Sequence, residues 1–448
     1  MIAQLGEEVA MAYLRSRMTR ISVVLLATVL ATSFAAPSAR AVAGTINVFT
    51  NSGNDTELIM IAITKAFGKA NPNIHVIVNV GPSGTDVIDL IKARLVAGTM
   101  DDVFVYNSGS LFQSLDPTQN LADLTNEPWQ SNVVSSFYPV VSVGQKIYGA
   151  PLGSAMGGGI LYNKVIYARL GLQVPLTWAQ FMANNAKIKR AGIIPVIQTY
   201  KNIWTSQLFV LADQFNVQAD DPNFASEFTS NRAKVATTPA AFAGFQHLQD
   251  VKKSGYLNND YASATIDKGI AYLATGKGAQ YPMLTSVATN LVYNYPKLAK
   301  NIGFFAEPGN SAKSNGLTLW MPPGLFIPKT TKQLDLAKKF VAFAMAPAGI
   351  AAMNAAVVPT GPYLIKGAKY SGHFSTIATD MLPYINAKDE TAPALEFLSP
   401  IKGPNLSQIA VKVGSGILTA RQGAVAYDQD VKKEAIRLGL PAWTKELG

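Results

Sequence analysis

Thr45-Ile-Asn-Val-Phe-Thr50, Ile74-His-Val-Ile-Val-Asn-Val80 and Asp101-Asp-Val-Phe-Val105 are three short runs rich in β-branched and aromatic residues. Each reads as a strand. Between the first two, residues 56–70 place Leu58, Ile59, Ala62, Ile63, Ala66 and Phe67 at helical spacing, with Asn54 or Asp55 able to cap the start and Asn71-Pro72-Asn73 stopping the end. Between the second and third, residues 86–96 repeat the helical pattern and Gly98 closes it. The order β-α-β-α-β predicts an α/β chain, an open sheet of parallel strands flanked by helices. Ligands of such sheets gather beyond the carboxyl ends of the strands. The loops there carry Asn51, Ser52, Asn54, Asp55, Asn107, Ser108 and Ser110, all short hydrogen-bonding side chains. No nucleophile–base pair stands out among them.

The rest of the 448-residue chain bounds what this sheet belongs to. Hydrophobic residues make up 48% and charged residues 15%, with 38 Lys+Arg against 28 Asp+Glu. That composition gives ample core for two or three domains and excludes a disordered chain. The excess of base is diffuse: Lys252-Lys253, Lys338-Lys339 and Lys432-Lys433 are isolated pairs, so no nucleic-acid partner is expected. There is no cysteine. Thiol catalysis, disulfides, zinc-thiolate sites and a lipid-modified N-terminal cysteine are therefore excluded. His75, His247 and His373 are scattered, which leads to the expectation of no metal and no cofactor.

Arg15, Arg17 and Arg20 precede the apolar run Ile21-Ser-Val-Val-Leu-Leu-Ala-Thr-Val-Leu-Ala31, and small residues follow with two A-x-A sites, Ala39-Arg40-Ala41 and Ala41-Val42-Ala43. This order predicts an export signal over 1–43, with translation starting at Met1, Met11 or Met18. The expected product is secreted, soluble and free of a lipid anchor. Beyond residue 110 the text is mostly helical, returns to apolar strand-like text at 316–327 around Pro322-Pro323-Gly324, and becomes helical again to the end. Such alternation implies that the chain crosses between two lobes more than once.

Tyr148-Gly-Ala-Pro151, Leu161-Tyr-Asn-Lys164 and Leu170-Gly-Leu-Gln-Val-Pro-Leu-Thr-Trp178-Ala-Gln-Phe181 follow one another in a recognisable order. Ala271-Tyr-Leu-Ala-Thr-Gly-Lys-Gly-Ala279, Gly324-Leu-Phe-Ile-Pro-Lys329, Ala337-Lys-Lys-Phe-Val-Ala-Phe343 and Val358-Pro-Thr-Gly361 extend the string. Together they resemble the family 1 extracellular solute-binding proteins of ABC importers, the maltose-binding-like group. The resemblance implies a two-lobe periplasmic-binding-protein fold of type II-like architecture, with the ligand cleft at a hinge crossed several times. It divides the mature chain into 44–153 (first lobe), 154–303 (second lobe), 304–358 (return to the first lobe) and 359–448 (C-terminal helical part of the second). It also implies a monomer in the periplasm that captures a small solute, a sugar, oligosaccharide or polyol, and hands it to the transmembrane subunits of an ABC permease.

The same resemblance turns particular residues toward the cleft. They are Asn51 to Glu57, with Glu57 added to those above, then Asn107 to Ser110, Ser154 and Met156 at the first crossing, and Trp204, Gln207, Thr285, Ser286 and Trp320 from the second lobe. Tyr148, Tyr162, Asn163, Thr177 and Trp178 are structural in this reading. Sugar-binding relatives often carry an aromatic residue, commonly Trp, shortly after the x-G-K-x-A run; Tyr281-Pro-Met-Leu-Thr-Ser286 departs from that pattern in lacking Trp, although Tyr281 is close. Two other classes compete with this reading. An exported glycoside hydrolase needs two carboxylates facing each other across a cleft, and Asp101-Asp102 and Asp220-Asp221 are sequence neighbours that point apart on a strand. Nor do H-E-x-x-H, G-x-S-x-G or a phosphate-loop motif occur, and Ser399-Pro-Ile-Lys402 reads as a chance S-x-x-K. A solute sensor docking on a receptor would use the same fold.

Overall fold

In a computed structural model, residues 43–444 are described, except 53, 54, 83, 85, 371 and 373. The expected signal, apart from Ala43, and the candidates Asn54 and His373 lie outside the described residues. Strand β1 (Gly44–Asn51) pairs in parallel with β2 (Ile74–Gly81) on one side and β3 (Val103–Tyr106) on the other. The helices Asp55–Ala70 and Asp86–Val96 make the two crossovers. Their buried stripes, Ile59, Met60, Ile63 and Phe67 on the first and Val87, Ile91 and Leu95 on the second, follow the helical spacing of the sequence. After a short hairpin of β4 (Ser142–Val143) and β5 (Lys146–Ile147), β6 (Gly149–Pro151) forms the far edge of this sheet.

The chain then leaves for a second sheet. Strand β7 (Met156–Asn163) is its centre and pairs with β9 (Gly278–Leu284), β10 (Ile302–Ala306) and β11 (Leu317–Trp320); β8 (Ile194–Val196) and β13 (Thr391–Pro393) lie at the edges. Strand β12 (Gly324–Phe326) belongs to the first sheet, between β3 and β6. The apolar run at 316–327 is thus two strands in two sheets, separated by Met321-Pro322-Pro323. The proline pair, with no N–H to offer a ladder, sits where neither sheet needs one.

This moves two of the expected boundaries. β10 and β11 lie in the second sheet, so the return to the first lobe begins after Trp320 and not at 304. At its other end, Leu364 and Ile365 still pack in the first lobe's core, beyond the expected limit of 358. The first lobe has one core around Phe67, Phe104, Phe326 and Phe340. The second has two, one on each side of its sheet, around Phe245 and Trp443 and around Tyr281 and Met283. The C-terminal text reads as one helix from 409 to 438 but forms two, Leu406–Gly414 and Ala420–Arg437, with Thr419 capping the second through a reciprocal bond with Gln422. Among the described residues no single helix is long and apolar enough to cross a membrane.

Candidate functional site: a cleft at three crossings

Three segments cross between the sheets: Leu152–Ala155, Met321–Pro323, and the stretch following Val357. They are tied to one another. Leu152 N–H donates to Pro323 O (2.9 Å), Ala155 N–H to Pro362 O (2.8 Å) and Thr360 N–H to Ser154 Oγ (3.1 Å). Ser108, at the end of β3, donates to Pro322 O at 2.9 Å. A bundle of three short, mutually bonded strands of chain is a hinge that can flex while keeping register.

Above it lies a cavity of about 480 Å³, within the usual range for small-molecule sites. The first lobe contributes Asn51, Ser52, Asp55, Asn107 and Ser108, the strand-end residues singled out by the topology rule, and the hinge adds Ser154. Met156, Trp204, Gln207, Ser286 and Trp320 line it from the second lobe. Three other candidates are elsewhere. Glu57 is half-buried outside the lining. Ser110 is buried at the start of the one-turn helix Ser110–Gln113. Thr285 is fully buried and holds the hinge instead, accepting from Gly157 N–H at 2.9 Å.

Trp320 shows why the glycine run in β7 is there. A Cβ on Gly158 would lie 2.1 Å from Cζ3 of the Trp320 ring. Only glycine lets the indole lie flat on the strand. The indole N–H donates to Glu396 Oε1 (2.5 Å), and Lys402 Nζ holds Glu396 Oε2 at 2.6 Å. Glu396 and Lys402 both line the cleft; sequence reading missed the first and dismissed the second, because a one-turn helix, Leu395–Leu398, and the irregular chain around Lys402 carry no periodicity. Trp204 lies in the first turn of a 3₁₀ helix, Ile203–Gln207. It is half-buried, packed on one side against the second-lobe core, and its Cδ1 lies 3.8 Å from where a Cβ on Gly84 of the first lobe would stand. Tyr281, by contrast, is fully buried, with its hydroxyl 2.6 Å from that of Thr199.

The electrostatics are those of a site with little net charge. Among the described residues, Lys402 is the one Lys or Arg lining the cleft, and Glu396 neutralises it. Burial pushes the Asp55 carboxyl up from 3.8 to about 7, with the Thr289 hydroxyl of the second lobe opposing the shift. Asp267 stands exposed at the rim. Beyond the cleft the lobes also touch: Arg437 reaches Asp116 at 3.4 Å, and Tyr293 Oη donates to Ala356 O at 3.0 Å.

Two lobes joined by three crossings, with a solute-sized cleft between strand ends, are the architecture of a solute-binding protein. A model of the bacterial extracellular solute-binding proteins matches residues 52–351, and the chain belongs to that family. The chain is 26% identical over 304 residues to the multiple sugar-binding protein of Streptococcus mutans serotype c, covering 67% of this chain and 70% of that one. In structure it resembles a chitin oligosaccharide binding protein (TM-score 0.74, 18% identity, 88% of this chain and 100% of the other). It also resembles the binding protein RafE in complex with raffinose (TM-score 0.71, 22% identity, 88% and 99%). At these identities the structural likenesses establish the fold. Family and relatives are binding proteins and not enzymes, which sets the hydrolase alternative aside.

Proposed function

We propose that this chain is the solute-capturing subunit of an ABC import system and that its solute is a neutral saccharide, taken up by lobe closure and passed to a membrane permease. The observation carrying the reading is the cleft's chemistry. From one lobe Trp204 offers a half-exposed apolar face and Trp320 a buried indole in the wall, while Asn51, Ser52, Asp55 and Asn107 offer short donors and acceptors from the other. A pyranose ring has that same division, C–H faces and hydroxyl edges. A phosphorylated sugar or an amino acid would bring an anion that no unpaired cation in the described lining meets. The volume favours more than one ring, and the relatives named for sugars point the same way.

Mechanism follows from the geometry. Hydroxyls would bond to the first lobe and ring faces to the second, so the full set of contacts exists only when both lobes close. That differential affinity is what drives closure. The export signal read over residues 1–43 supports the periplasm as the location, and a chain without cysteine offers no thiol for a lipid anchor. A thermal-shift panel of neutral saccharides, sugar phosphates and amino acids tests the reading. A rise in Tm with one or more neutral saccharides supports it; a rise confined to charged solutes overturns it.

A further inference from the structure

A second group of functional side chains lies away from the cleft. Asp213 precedes the helix Gln214–Asp220, His247 sits within the helix Pro239–Lys253, and Glu307 follows β10. All three side chains are buried, with Asp213 and Glu307 each 1% exposed and His247 3%. One ligand atom from each lies within 4.8 Å of the others. His247 Nδ1 is 3.1 Å from Glu307 Oε1. Asn216 Nδ2 donates to Asp213 Oδ1 (2.7 Å) and to the backbone oxygen of Glu307 (3.1 Å).

The remaining carboxylate oxygens, Asp213 Oδ2 and Glu307 Oε2, are buried and have no partner, and neither has Asn216 Oδ1. Beside Asp213, Asn216 and His247 is a cavity of about 10 Å³, its wall completed by Asp220, Gly309, Asn310 and two alanines, with Glu307 behind the lining. That is room for one ion or one water. Two neighbouring carboxylates, each with one oxygen left unpartnered, are costly to bury, and an orphaned buried oxygen beside a one-atom void, as Asp213 Oδ2 is, calls for a water or an ion there.

We infer that Asp213, His247 and Glu307 bind a single divalent transition-metal ion, of the Zn²⁺ or Mn²⁺ class, that fastens two helices of the second lobe to its sheet. One imidazole nitrogen with two carboxylates is a donor set that suits these ions better than Ca²⁺ or Mg²⁺, which favour oxygen alone. The cavity leaves a position for a water or for Asn216 Oδ1, and the exposed Asp220 at its mouth gives a cation a way in. Burial holds Asp213 up at about 8, raises Glu307 well above the carboxylate range, helped by Asp213, and pushes His247 down to about 3. A cation would reverse the first two pressures and leave the imidazole neutral for ligation. The scattered histidines had suggested no such site, because two of its three members are carboxylates distant in sequence.

Trp178 supplies a local reporter: its ring stacks on His247 with centroids 3.6 Å apart. The test uses the mature protein stripped with EDTA and dialysed, then titrated with ZnCl2 and MnCl2, with metal content measured by mass spectrometry. Expected are one equivalent of Zn²⁺ or Mn²⁺ per chain, a change in tryptophan fluorescence saturating at one equivalent, and a Tm rise of about 3 °C at a hundred-fold excess over Kd. Glu307→Gln and Asp213→Asn keep the shape of the site and should fold, yet each should lose at least about ten-fold in metal affinity. Failure of the stripped protein to take up either metal, with Tm unmoved, overturns the proposal and leaves the group held by protons. Equal metal uptake by the doubly substituted protein overturns it as well. Both outcomes are independent of which solute fills the cleft.

Discussion

Replacing Trp204 by alanine separates a solute-stacking indole from a packing one. The side chain is half-buried against the second-lobe core, and the rest faces the cleft. If roughly a third of an indole's ~200 Å² is left for a sugar ring to cover, its loss costs about 1.7 kcal/mol at ~25 cal/mol/Å², before any specific ring–C–H contact is counted. Trp204→Ala should therefore weaken solute binding about 20- to 30-fold. The part already packed contributes to stability, so Tm of the empty protein should fall by about 2 °C, no more than 1–2 kcal/mol in a domain of this size. Trp320→Ala is the comparison: its indole is buried on β7 and hydrogen-bonded to Glu396, and truncation should cost about 3–5 kcal/mol of stability. Calorimetric titration gives affinity and differential scanning gives Tm. Unchanged affinity in Trp204→Ala, with a loss of Tm as large as that of Trp320→Ala, would refute the stacking role.

Three further outcomes are expected. Gly109 has φ +75°, and a Cβ there would lie 2.3 Å from Glu396 O across the lobes, so Gly109→Ala should impair closure and lower solute affinity at least ten-fold. Gly144→Ala, also at positive φ but with open space around it, should share the backbone cost of about 1 kcal/mol and leave affinity unchanged in the same titration. Burial in the cleft raises Asp55 to about 7 from 3.8, so the closed empty form holds a proton that an open, hydrated one would release. Its closed fraction should fall as pH rises from about 4 to 7 and level off above, as read by small-angle scattering, and Asp55→Asn should abolish the slope. Thr285→Val removes the hydroxyl that accepts from Gly157 N–H at the hinge; a drop in Tm of a few degrees is expected from the orphaned N–H, which scanning calorimetry would detect.

The first lobe was legible because its signals are local. Alternating strands, helices with one apolar stripe and polar strand-end loops each declare themselves within a dozen residues, and the topology rule then put Asn51, Asp55 and Asn107 at one end of one sheet. The second lobe was less so. The continuous apolar text at 316–327 hides a change of sheet, since a buried strand reads the same in either lobe. Glu396 and Lys402 carry no periodic pattern and reach the cleft only through the packing of Leu395–Leu398 beside Trp320. Asp213, His247 and Glu307 come together solely in three dimensions. The export signal and Asn54, read from sequence, lie outside the described residues.

The most direct test of closure over a neutral saccharide is a calorimetric titration of the mature protein with the best saccharide from the thermal-shift panel, in low salt and in 0.5 M NaCl. The account predicts one site per chain, a negative heat-capacity change from the buried ring faces, and an affinity that salt changes less than about two-fold, because no ion pair holds an uncharged ligand. An affinity falling ten-fold or more in salt, or steady release of reducing ends during the titration, would contradict it.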